Sequence, residues 1–65
     1  MYKNSMRKIR EKKGITLTKL SKETGISIGY LSHLEKGTRK NPSVSTMDKI
    51  SKLLNESVTK IFFDM

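Results

Sequence analysis

Glycines at positions 14, 25 and 37 break the chain at intervals of 11 and 12 residues, and Asn41-Pro42 and Asn55 break it again further on. Glycine and asparagine tolerate the left-handed backbone that ends helices, and proline cannot continue one. The chain is thereby cut into five short segments, each with its own apolar rhythm. Sixty-five residues support one domain, expected to run over 1–65, and a domain of that size buries only about 60% of the surface its unfolded chain exposes. The core must come from the 34% of residues that are apolar, because no cysteine is present to form a disulfide or a thiolate zinc site.

In the first segment, 4–13, Met6, Ile9 and the stem of Lys13 follow Tyr2 at i+4, i+7 and i+11. That is helical spacing, and Gly14 suits the position just past a helix end. The second segment, 16–24, takes Thr16 as N-cap and turns Leu17 and Leu20 inward. Ile15-Thr16-Leu17-Thr18 alternates as a strand would, but Leu20 breaks the alternation and Gly25 closes a helix-length unit. In the third, 27–36, Ser27 is the cap, Leu31 and Leu34 are three apart, and Gly37 ends the helix. After a polar, basic loop, Thr38-Arg39-Lys40-Asn41, Ser43 caps a fourth helix. Its Val44, Met47, Ile50 and Leu54 recur at helical spacing, with Asn55 in the left-handed position beyond. The last segment, 57–62, starts at Ser57 and presents Val58, Ile61 and Phe62. The expected fold class is all-α: five short helices in one compact domain.

Only Gly25 and Ile26 separate the second and third segments, a turn that suits nothing but a sharply bent helix pair. Two short helices joined in this way, the second polar at its start, form the helix-turn-helix pattern, here about 16–36. Helices that cross closely need a small residue in the first and positive φ at the turn, and Ser21 and Gly25 supply these. The chain contains no alanine, and serine fills the small-residue places at Ser21 and Ser51. Each hydroxyl is expected to bond the carbonyl one turn back. Fourteen Lys+Arg against six Asp+Glu give a net charge of +8, and a polyanion is the commonest partner for such a field. With one histidine and no cysteine, neither an enzyme active site nor a metal centre is expected. No apolar run exceeds Ile61-Phe62-Phe63, which excludes a signal-peptide core and a membrane span and fits a cytoplasmic location.

The ordered string Arg10-Glu11-Lys12-Lys13-Gly14-Ile15-Thr16, Leu20-Ser21, Gly25-Ile26-Ser27, Tyr30-Leu31-Ser32, Leu34-Glu35-Lys36-Gly37, Pro42-Ser43-Val44, Ile50 and Leu53-Leu54 resembles the Cro/repressor (XRE-type) helix-turn-helix family. The match covers about residues 5 to 62. The resemblance implies a five-helix, lambda-repressor-like domain that binds double-stranded operator DNA with its third helix in the major groove. It carries Ser27, Ile28, Gly29, Ser32 and His33 to the groove, and Thr38, Arg39, Lys40 and Asn41 to phosphates. It pairs Arg10 with Glu35 across the first and third helices, partly buried, so that the pair orients the recognition helix. The family often has Gln where this chain has Leu17, and Glu where it has Lys19. The recognition positions lack the Gln and Arg often used for bidentate base contacts.

His33 reads either as an ordinary helix histidine or as a base reader, and its place on the recognition face favours the second. Ile28 is set for a thymine methyl or for packing. Gly29 is costly in a helix unless a backbone must approach DNA closely. Tyr30 is first a packing residue, with a phosphate contact as its other role. Phe62, Phe63 and Met65 crowd the last four residues, either as a patch for a second copy or, for Phe62, as core. The function expected is a sequence-specific transcriptional regulator, a repressor in its simplest form, acting as a homodimer. The alternative is a protein-interaction module of the same fold, antitoxin-like or coactivator-like. No cofactor, small-molecule substrate or membrane partner is expected.

Overall fold

The computed structural model describes residues 4–37 and 42–63. Among them the order is α1 (Met6–Lys12), α2 (Leu17–Thr24), α3 (Ile28–Lys36), α4 (Val44–Leu54) and α5 (Val58–Phe62), with no strand. Four starts are built alike. The hydroxyls of Thr16, Ser27, Ser43 and Ser57 accept from the backbone N–H three residues on, satisfying one of the donors a helix start leaves unpaired. The ends are left-handed at Gly25, Gly37 and Asn55, whose φ values are 76°, 79° and 56°.

α1 is shorter than the spacing predicts and begins differently. Its N-cap, Ser5, makes no side-chain cap bond; Asn4 does that work instead. The Asn4 Oδ1 accepts from the Met6 N–H at 3.0 Å, and its Nδ2 donates to the Leu34 carbonyl at 2.9 Å, tying the start of α1 to α3. Tyr2 lies outside the described residues.

The core gathers Met6 and Ile9 from α1, Leu20 from α2, Leu31 and Leu34 from α3, Met47, Ile50 and Leu54 from α4, and Ile61 and Phe62 from α5. Two details depart from expectation. Val44 is 77% exposed: at the first position of α4 its side chain leans toward the N-terminal end and overhangs the core. Ser51 is buried and donates to the Asp48 carbonyl, but Ser21 bonds forward, its Oγ donating to the Ile26 carbonyl at 2.6 Å. The hydroxyl thus ties α2 to the far side of the turn. Thr24 closes the same turn, donating to the Leu20 carbonyl and accepting from the Ile26 N–H.

Candidate nucleic-acid interface

The turn sets α3 on α2 with Leu31 and Leu34 fully buried. At about 100° per residue the side opposite those leucines carries 29, 32, 33 and 36, with 28 on its flank at the helix start. Ile28 is 47% exposed, Gly29, His33 and Lys36 are exposed, and Ser32 is half-buried at the edge. Tyr30 is half-buried and packs against the core. Its N–H donates to Ser27 Oγ at 3.2 Å, and the Leu31 N–H donates to the Ser27 carbonyl. Among the described residues the N–H groups of Ile28 and Gly29 have no acceptor, so the start of α3 presents two donors and the positive end of its dipole.

Arg10 and Glu35 meet across α1 and α3. Arg10 Nε donates to Glu35 Oε2 at 2.6 Å and Nη2 to Oε1 at 3.2 Å, with 11% and 5% of the two side chains exposed. The third guanidinium nitrogen, Nη1, donates to the Ile15 carbonyl at 2.8 Å. The hydrogen bond to Glu35 raises the Arg10 pKa against the opposing effect of burial, with further help from the charges of Glu35 and Glu11. One arginine therefore fastens α1 to both α3 and the α1–α2 connection. Beside the pair, Arg7, Leu17, Ser32 and Lys36 complete a cleft of about 260 Å³ on the side of the exposed α3 residues. In the sequence Arg7 is one of several basic residues of the first segment and Lys36 is only part of the family-like string, and nothing in their spacing brings the two together.

Thr38, Arg39, Lys40 and Asn41 lie outside the described residues, as does Met65. Of the two roles open to Phe62, a patch for a second copy or core, its burial fits the core: only 2% of it is exposed, because the inward side of α5 packs it, with Ile61, into the domain. Phe63, just past that helix, is 56% exposed. No helix among the described residues is long and apolar enough to cross a membrane, and no group of three His, Cys, Asp or Glu among them is placed to hold a metal.

Two short helices crossing over a left-handed glycine, the second with its polar start exposed, define a helix-turn-helix protein. The helix-turn-helix family pattern matches residues 6–61, and the chain belongs to that family. Over 57 residues the chain is 39% identical to the HTH-type transcriptional regulator SlrR of Bacillus subtilis (strain 168), covering 88% of this chain and 38% of SlrR. It is 33% identical over 58 residues to the HTH-type transcriptional regulator SinR of the same organism, covering 89% of this chain and 52% of SinR. A solved SinR protein/SinI protein complex matches with a TM-score of 0.77 at 33% identity, over 83% of this chain and 52% of that one. The chain spans about half the length of these relatives or less.

Proposed function

We propose that this chain is the DNA-binding unit of a sequence-specific transcriptional regulator, in its simplest form a cytoplasmic repressor that meets a two-fold operator as a homodimer. The observation that carries this reading is the exposed side of α3. Two N–H groups at its start that have no acceptor among the described residues suit a phosphate, and Ile28, Gly29 and His33 follow along the side that would face base edges. The relatives SlrR and SinR, each named an HTH-type transcriptional regulator, support a regulatory role. Phosphates would be met by that helix start, by the basic residues of 38–41, and by Arg7 and Lys36 at the cleft beside the Arg10–Glu35 pair. Repression then needs no covalent step, only occupancy of the operator. Selection of bound sites from random duplex DNA tests it: a two-fold consensus is expected, and recovery of unselected sequence overturns it.

A second reading, a protein-interaction module, has one observation in its favour: the matching solved structure is itself a complex of two proteins. Under that reading the same selection enriches nothing.

Two substitutions on α3 separate fold from recognition. A Cβ added at Gly29 meets nothing within 4 Å, so no contact inside the protein calls for glycine there. Gly29→Ala should raise stability by about 0.5–1 kcal/mol, since glycine inside a helix costs that much. It should weaken operator binding by about tenfold if the DNA backbone comes close. A melt and a binding titration decide; higher stability with unchanged affinity would reduce Gly29 to a tolerated residue. His33→Ala should leave folding nearly unchanged, because the side chain is exposed. It should relax preference at one or two base pairs in each half-site, at roughly 1–3 kcal/mol of lost discrimination. Matched site-selection profiles are the measurement, and a uniform loss of affinity with the same consensus would remove His33 from base reading.

A further inference from the structure

On the other side of α1 the fold builds a basic cleft that neither α3 nor the turn explains. Lys8, Lys12 and Lys13 come from α1 and its C-cap, Lys60 from α5, and Glu56 from the α4–α5 connection; with Ser5 and Ile9 they enclose about 390 Å³. Lys8 and Lys12 are one turn apart. Each lies two residues from Arg10, which puts them about 160° around the helix from the side that grips Glu35. A bond from the Ser5 N–H to the Ile61 carbonyl, at 2.7 Å, pins the two walls together.

The charges in the cleft do not balance. Glu56 is shared by Lys13 and Lys60, each at 3.4 Å, and no ion pair forms at Lys8 or Lys12 among the described residues. Four ammonium groups against one carboxylate leave 4 − 1 = +3 around one concavity. Burial disfavours the Glu56 charge, but its bonds to Lys60 and Lys13 outweigh that and hold the carboxyl below the ordinary carboxylate range. The fold thus already seats one anion between two lysines and leaves two more lysines beside it unanswered.

We propose that the α1–α5 cleft binds a small phosphorylated anion of nucleotide size. The volume falls within the range of small-ligand sites, the nearly buried Ile9 gives an apolar floor, and lysines act as point charges that accept phosphates at many angles. A net of +3 answers a di- or triphosphate. The concavity favours such a ligand over duplex DNA, which would meet the lysine tips and leave the floor empty. The proposal stands independently of the operator reading, since it uses no residue of α3.

Inorganic triphosphate and ATP, titrated calorimetrically into the whole chain at physiological ionic strength, test it. Saturable one-to-one binding is expected, with amide shifts in a two-dimensional NMR spectrum centred on Ser5, Ile9 and Glu56. The double variant Lys8→Gln/Lys12→Gln should bind about tenfold more weakly or worse, while Lys19→Gln/Lys22→Gln, which removes the same charge from exposed positions of α2, should change affinity less than about twofold. All four positions are exposed, so both variants are expected to melt like the parent. Equal losses in the two double variants would mean diffuse attraction to net charge and would overturn the site. So would an absence of saturable binding, or shifts at the cleft with a short duplex and none with triphosphate.

Discussion

Arg10→Ala should lower the stability of the domain by about 3 kcal/mol. The substitution removes two bonds to Glu35 and one to the Ile15 carbonyl, and strands a carboxylate whose side chain is 95% covered. A 65-residue domain has roughly 3–10 kcal/mol to lose, so the variant sits near the edge of folding, with its melting midpoint down by about 12 °C or more. Arg7→Ala is the control. Arg7 also pairs with a glutamate, Glu11, at 3.2 Å, but 70% and 57% of those side chains are exposed, and a screened pair one turn apart contributes only about 0.3–0.5 kcal/mol. Replacing Arg10 and Glu35 together by Met and Leu should recover much of the loss, because the cost lies in the stranded charge more than in the missing attraction. Thermal and urea melts of the four proteins decide. Equal, small effects of Arg10→Ala and Arg7→Ala would mean that the pair does not hold α1 to α3.

What could be read without coordinates was mostly local. Ser27 and Ser57 cap by reaching three residues along their own chain, and Gly25, Gly37 and Asn55 turn through their own φ, so position in the sequence was enough. Residues whose partner is chosen by the fold were harder. Ser21 was legible as the small residue of the crossing, yet its bond goes forward to Ile26, because the bent turn brings that carbonyl closer to hand. Asn4 looked like the first residue of a helix and instead bridges Met6 and Leu34, thirty residues away. Val44 kept the apolar period of α4 but stands where the core has ended. For the candidate interface, the residue types on α3 and the Arg10–Glu35 signs were visible in the string. Arg7, Lys36 and the cleft formed by Lys8 and Lys60 were not, since in a chain with 14 basic residues only packing decides which of them gather.

If the proposed reading holds, the affinity of two protomers for an operator should fall by 10³-fold or more between about 50 and 200 mM salt, the loss expected when some 6–10 phosphates are neutralised and their counterions released. Per protomer the candidates are Arg39 and Lys40 of the basic 38–41 segment, and Arg7 and Lys36 at the cleft beside Arg10. Each cation that meets a phosphate adds about −0.9 to the slope of log K against log salt. Lys40→Ala should therefore weaken all sequences alike and make the slope shallower by about one unit per protomer site. Lys52→Ala removes the same charge from the far end of α4, where Lys52 already faces Asp48 at 3.2 Å, and should leave the slope as it was. His33→Ala should do the reverse of Lys40→Ala, changing which sequences are preferred while keeping the slope, because a base edge releases no counterions. The three variants thus divide a phosphate contact, a bystander charge and a base reader on one plot. An affinity that stays flat across this salt range would remove DNA as the partner, and a slope that Lys40→Ala and Lys52→Ala reduce equally would mean that net charge alone, not a phosphate contact at Lys40, holds the nucleic acid.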